Sequence, residues 1–190
     1  MKKSLPVLLT CAVVIVVIAC GYKIMTPRSH LKQDIHIMAG SEHFASTVGD
    51  LEKTIQTIHS NIDADKFYPE LDIFNPYDGT LFPRDMASPT FVWEDWQKGS
   101  SLWLVSIHFA HNDHAWYVLT DWKQWTPDKA TWEMIKENSL ERKACVTITG
   151  IDRDNSYEIV TRSGITFTTS RDEVGAPIFY VQMPLPFARA

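Results

Sequence analysis

Apolar and polar residues follow two different periods along this chain. Over residues 48–62 the apolar positions recur every three or four residues, which predicts an amphipathic helix. Ser46 or Thr47 is expected to cap this helix, with Asp50 in its first turn. Over residues 102–109 apolar side chains instead alternate with their neighbours, which is the two-residue period of a half-buried strand.

Further short strands follow, and turn-forming residues separate them. Strands are predicted at residues 89–94, 115–120, 144–151, 157–161 and 165–169, and a short helix at residues 127–138. Residues 63–84 contain three prolines and a glycine and are expected to form a loop. Several short strands separated by turns indicate a mostly β protein built as an antiparallel β-sandwich.

The first 25 residues have a basic start followed by an uncharged apolar run, the pattern of a secretory leader. Two interpretations stay open. Val17-Ile18-Ala19-Cys20 resembles a lipobox, which would attach lipid to Cys20. Alternatively, residues 5–25 remain uncleaved and span the bilayer as a single helix. Both interpretations place the rest of the chain outside the cytoplasm, in the periplasm or at the cell surface, tethered to a membrane.

The domain organisation follows from these patterns. We expect a signal-anchor or lipoprotein signal at residues 1–25 and a linker with the amphipathic helix at 26–69. The β-sandwich should occupy residues 70–170, and an extended proline-rich tail residues 171–190.

Charge and cysteine content exclude several functional classes. The 190 residues carry 18 Lys and Arg against 23 Asp and Glu, a formal net charge of -5, which argues against a nucleic-acid binder. Of the three cysteines, Cys145 alone lies beyond the leader, so an intradomain disulfide is not expected and Cys145 is interpreted as a small buried hydrophobe. No catalytic motif and no phosphate-binding glycine loop occurs, so neither an enzyme nor a cofactor is predicted.

Three stretches carry a resemblance to a known type of domain. Residues 75–83 (NPYDGTLFP) and 88–95 (SPTFVWED) resemble the opening of an immunoglobulin or fibronectin type III-like domain, and residues 125–150 resemble its middle. Residues 167–180 and 184–187 resemble the end of an amino-terminal domain in large exported bacterial proteins. Those proteins continue into a CxxCH haem segment and TolB-like propeller repeats, neither of which occurs in these 190 residues. The resemblance therefore implies either a free-standing accessory subunit of a complex that contains multihaem electron-transfer proteins or a truncated relative of those longer proteins.

Aromatic residues supply the first candidate site. Trp93, Trp103 and Trp116 fit inward strand positions and are expected in the core. A surface for another extracytoplasmic or membrane protein is predicted at the remaining aromatics near turns and at the proline-rich tail. Its residues are Trp96, Trp122, Trp125, Pro177, Phe179, Tyr180, Pro184 and Phe187.

Two alternative functions remain. Exposed tryptophan rings would also suit a carbohydrate-binding module. His108, His111 and His114 follow one another at three-residue spacing around a predicted hairpin turn, which suggests a metal-binding sensor. The three hypotheses differ in the side chains that must come together: exposed indoles for the first two, converging imidazoles for the third.

Overall fold

The computed structural model describes residues 35–45 and 48–174, which form a mostly β fold with two sheets, as the sequence predicts. In chain order the elements are β1 (Ile35–Ala39), α1 (Glu42–Ala45), α2 (Leu51–Asn61), β2 (Asp72–Asn75), β3 (Thr80–Phe82), β4 (Phe91–Glu94), β5 (Leu102–Phe109), β6 (Ala115–Thr120), β7 (Gln124–Trp125), α3 (Lys129–Ser139), β8 (Ala144–Asp152) and β9 (Glu158–Thr169).

The larger sheet has six strands in the order β1-β6-β5-β8-β9-β3. Its four central strands are antiparallel, as predicted, but both edge strands run parallel to their neighbours. The smaller sheet has the antiparallel order β2-β4-β7. The parallel edges are a correction to the wholly antiparallel expectation. β1 and β3 lie far in sequence from their partners β6 and β9. No hairpin turn connects either pair, so no local sequence pattern indicates the pairing.

The larger sheet is covered on both faces. On one face, called here the small-sheet face, side chains from β5, β6, β8 and β9 pack against the smaller sheet and α3. On the other, the helix face, Leu104, Leu119 and Ile151 pack against Ile55 and Ile58 of α2. Burial of both faces explains why β5 is buried at nearly every position, where alternation alone predicts a half-buried strand.

Helix α2 confirms the predicted apolar face but begins later than expected. Asp50 is its N-cap rather than a first-turn residue, because its carboxylate accepts a hydrogen bond from the backbone N–H of Lys53 at 3.0 Å. Ser46 and Thr47, the predicted caps, lie outside the described residues. The helix packs on the larger sheet through Ile55 and Ile58, which are fully buried.

Three other segments differ from the sequence expectation. Ile35–Ala39, assigned to the linker at 26–69, forms β1 and pairs with β6. The expected loop at residues 63–84 contains β2 and β3. The turn expected at Ser163-Gly164 is absent because both residues pair with β8 across the ladder, so that β9 runs unbroken from Glu158 to Thr169.

Several predicted features lie outside the described residues. These are the whole leader with Cys20, and the tail residues Pro177, Phe179, Tyr180, Pro184 and Phe187. Within residues 35–45 and 48–174, no helix has the length and apolarity that crossing a bilayer requires.

A buried carboxylate joins the two sheets. Asp95, just beyond β4, accepts hydrogen bonds from Trp103 Nε1 at 3.1 Å and Thr161 Oγ1 at 2.7 Å, on β5 and β9. Gly150 of β8 lies directly beneath it. A Cβ atom at Gly150 would sit 2.6 Å from Asp95 Oδ2 and 2.1 Å from Thr161 Oγ1. The approach of the carboxylate to the larger sheet therefore requires glycine at position 150.

Replacing Gly150 should weaken the packing of Asp95 against the larger sheet. We expect Gly150→Ala to lower the free energy of unfolding by about 2 kcal/mol, because the new methyl group overpacks a filled site. Gly49→Ala is the matched control, since a Cβ atom there meets nothing within 4 Å, and it should change stability by less than about 0.5 kcal/mol. Urea denaturation of the full chain measures both. Equal stability of the two variants would contradict the close approach.

Candidate functional site

The seven tryptophans divide sharply by exposure. Five are buried, among them Trp93, Trp103 and Trp116, which confirms their predicted place in the core. Trp96 and Trp122 are instead 70% and 63% exposed. Since an exposed indole ring leaves a large apolar area in water, these two rings are the candidates for a recognition surface.

Trp125 does not belong to this surface. Although the sequence places it near a turn, it lies in β7, is 5% exposed and stacks on Phe91 of β4 with ring centroids 5.5 Å apart. The pairing of Phe91 with Trp125 across β4 and β7 turns both rings towards the core. The predicted set of turn tryptophans is therefore corrected to Trp96 and Trp122.

Contacts on the smaller sheet connect Trp96 with the residue next to Trp122. Trp96 Nε1 donates a hydrogen bond to Asp72 Oδ2 at 2.9 Å, and Asp72 is the cross-strand partner of Glu94. Glu94 in turn forms an ion pair with Lys123, the residue after Trp122. These contacts connect the Trp96 indole to Lys123, the residue that follows Trp122. The indole surface is therefore defined as Trp96, Asp72, Glu94, Lys123 and Trp122.

A groove of about 310 Å³ adjoins Trp122 at the end of this surface. Its lining combines aromatic rings with hydroxyl and amide groups. The lining residues are Gly40, Ser41, Thr120, Trp122, Gln124, Trp125 and Thr126. The segment after β1 forms one wall, held by a hydrogen bond from the Gly40 N–H to the Leu119 carbonyl at 2.8 Å. Such a lining can pack an apolar group against the indole while it hydrogen-bonds polar atoms beside it.

The predicted metal site is not assembled. The ring of His108 packs on Tyr117 and that of His114 on Trp116, with centroids 5.6 and 6.4 Å apart. Tyr117 and Trp116 are consecutive on β6, so their side chains lie on opposite faces of the sheet. Across the described residues, no three His, Cys, Asp or Glu side chains are grouped closely enough to hold a metal ion.

His108 instead belongs to a cluster on the helix face that the sequence did not reveal. His59 of α2 packs edge-on against Tyr117 with ring centroids 4.8 Å apart, and His108 packs edge-on against the same tyrosine. The positive charge of Arg162 of β9, whose register places it on the same face, lowers the pKa of each imidazole. We call His59, His108, Tyr117 and Arg162 the histidine cluster.

Desolvation dominates the electrostatics of this cluster. It lowers the pKa of His59 and His108, and the Arg162 charge lowers both pKa values further. His59 also lowers the pKa of His108, while burial raises the pKa of Tyr117. The fold therefore favours neutral imidazoles beside a neutral phenol.

Cys145 is half-buried rather than fully buried as predicted. It lies opposite His108 in the β5–β8 ladder. Its position is thus on the helix face, at the end that α2 leaves open, and this explains the difference from the sequence expectation.

Comparison of the chain with protein-family models, curated proteins and solved structures finds no match in any of the three.

The histidine cluster predicts a loss of stability in mild acid. Because the folded-state pKa values of His59 and His108 lie below the ordinary value, unfolded chains take up protons first as the pH falls below about 6.5. The stability present above that pH should decline as the pH falls from there through the lowered folded-state pKa values of the two histidines. Urea midpoints measured across this window should fall less in a His59→Gln/His108→Gln variant than in the wild type. Parallel declines in the two proteins would contradict the assignment.

Proposed function

We propose that this chain is a non-catalytic, membrane-tethered, extracytoplasmic accessory subunit that docks a larger protein complex through the indole surface. The observation that carries the proposal is the exposure of Trp96 and Trp122 in a domain that buries its other five tryptophans. Tryptophan is among the residues that contribute most to protein–protein binding when a partner covers it.

The indole surface is held in place before any partner binds. The hydrogen bond to Asp72 fixes the Trp96 ring, and the Glu94–Lys123 ion pair ties β4 to the residue that follows Trp122. A ring that is already oriented loses little side-chain entropy on binding, so more of its buried area contributes to affinity. These contacts favour a recognition role over a structural accident of two exposed rings.

The partner's chemistry is suggested by the charge of this chain. With a formal net charge of -5 and two carboxylates beside Trp96 and Lys123, the surface fits a partner that offers apolar pockets for two indoles among basic side chains. The resemblance to amino-terminal domains of exported haem and propeller proteins supports a multihaem electron-transfer complex as the assembly. We include the multihaem complex in the proposal, together with the immunoglobulin-like family relationship and the membrane tether in the leader.

A carbohydrate-binding role is the second candidate, and the groove beside Trp122 is the observation that favours it. Sugar rings stack on an exposed indole ring. Side-chain hydroxyl and amide groups beside it, such as those of Ser41, Thr120 and Gln124, can form hydrogen bonds with the hydroxyl groups of the sugar. This candidate uses Trp122 without Trp96, so the two functions are separable by mutation.

Native electrophoresis of membranes solubilised in mild detergent tests the docking role. The wild-type chain should migrate in an assembly well above its own 21.7 kDa, and a Trp96→Ala/Trp122→Ala variant should migrate at monomer size because the central contacts are lost. Phe67→Ala is the control, since Phe67 is 84% exposed outside the indole surface, and it should leave the assembly intact.

Migration of the wild type alone at monomer size would overturn the docking role. If titration with a glycan panel then quenches tryptophan fluorescence, and if Trp122→Ala but not Trp96→Ala abolishes the quenching, the carbohydrate-binding function is the correct one.

A further inference from the structure

The smaller sheet ends at an unpaired strand edge. In the order β2-β4-β7, β7 pairs with β4 on one side and has no second neighbour within the described residues. The Trp93 N–H donates a hydrogen bond to the Lys123 carbonyl at 3.1 Å. Backbone bonds of an antiparallel pair occur at alternate residues, so Gln124, opposite Val92, directs its own N–H and carbonyl away from β4. The edge of β7 therefore offers a donor and an acceptor to a further strand.

The groove beside Trp122 follows this edge. Gln124 and Thr126 line the groove and are exposed, and Ser41 borders it from the segment after β1. A strand that lay in this groove would meet the backbone N–H and carbonyl of Gln124 and the ring of Trp122. Addition of an extended segment to a sheet edge uses main-chain hydrogen bonds of this kind, and it also protects the edge from pairing with other chains.

One run beyond the described residues has the sequence pattern of a strand. Residues 178–183 (IFYVQM) combine β-branched and aromatic residues, which favour strands. Phe179, Val181 and Met183 would form one apolar face, and the opposite face includes a phenol and an amide. Prolines bound the run on both sides and limit a paired strand to its six residues.

The last described residue lies within reach of the groove. Val174 donates its N–H to Asp85 Oδ1 at 3.0 Å. Five residues further along, Thr90 Oγ1 lies 2.7 Å from the hydroxyl of Thr126, which lines the groove. Five residues of chain span at most about 18 Å, and the nine residues from Val174 to Met183 extend up to about 30 Å. The run can therefore reach the β7 edge of its own molecule.

We propose that residues 178–183 add to the smaller sheet as a fourth strand, beside β7 of the same chain. The N–H and carbonyl of Gln124 then have partners, and the groove beside Trp122 is filled. A bound sugar would need the same groove, so the two occupants exclude each other. The proposal does not depend on the docking role, because the groove does not include Trp96, Asp72 or Glu94.

Backbone amide exchange at Gln124 reports directly on the added strand. We would follow hydrogen–deuterium exchange of the full chain, kept in a non-ionic detergent, by mass spectrometry with residue-level fragmentation. The Gln124 amide should exchange at least about 100-fold more slowly than an unstructured amide. This protection should be unchanged on about tenfold dilution, because an intramolecular contact does not depend on the protein concentration.

Matched proline variants make the test specific. Val181→Pro removes a backbone donor from the middle of the run, so the protection at Gln124 should fall to less than about tenfold. Ala188→Pro, which lies beyond the run, should leave this protection unchanged. The amide of Ile148, a buried residue of β8, should stay protected in both variants, which shows that the domain is folded.

Three results would overturn the proposal. The first is rapid exchange at Gln124 in the purified wild type, which would leave the β7 edge to a strand of another protein. The second is equal protection of Gln124 in the Val181→Pro and Ala188→Pro variants. The third is protection that disappears on dilution as a dimer dissociates, which would assign the added strand to a second copy of the chain.

Discussion

The structure depends on one buried carboxylate. Asp95 leaves the end of the smaller sheet and accepts hydrogen bonds from Trp103 and Thr161 of the larger sheet, while a third bond from the Gln97 N–H at 3.1 Å closes its own turn. A buried carboxylate without such partners would be strongly destabilising. The interaction therefore both requires the two sheets to be packed and fixes how β4 lies on the larger sheet. Gly150 makes this arrangement sterically possible.

The same joint determines what the outer surface presents. Glu94, Asp95 and Trp96 are consecutive, and the inward position of Asp95 sends its neighbours outwards, Glu94 to Lys123 and Trp96 to Asp72. The buried hydrogen bonds of Asp95 therefore determine how the exposed ring of Trp96 is oriented. The Glu94–Lys123 ion pair connects β4 to the residue next to Trp122. The proposed docking role draws on this link between a fixed core residue and the two exposed indoles.

Local patterns were sufficient for much of this fold. The period of residues 48–62 predicted α2, and the alternation at residues 102–109 identified the inward faces of Trp103 and Ile107 correctly. What local patterns missed depends on distant partners. β1 and β3 are short and become strands only by pairing with β6 and β9. Ser163 and Gly164, which favour a turn locally, stay extended because β8 pairs with them.

The candidate sites divide in the same way. Trp96 and Trp122 were predictable because aromatic residues beside turns are often exposed, but Trp125 carries the same sequence context and differs only through its pairing with Phe91. His59 and Arg162 come from elements far apart in the chain, and no spacing could have joined them to His108. The regular spacing of His108, His111 and His114 was misleading, because the strand and turn send His108 and His114 to opposite faces.

A double-mutant cycle on the full chain tests the Asp95 joint most directly. Asp95→Ala, Thr161→Val and their combination would be compared by urea denaturation. If the hydrogen bond between these side chains joins the sheets, the double variant should be more stable than the sum of the single losses implies, with a coupling free energy of at least about 1 kcal/mol. Strictly additive losses would show that Asp95 and Thr161 do not interact, and would contradict the account.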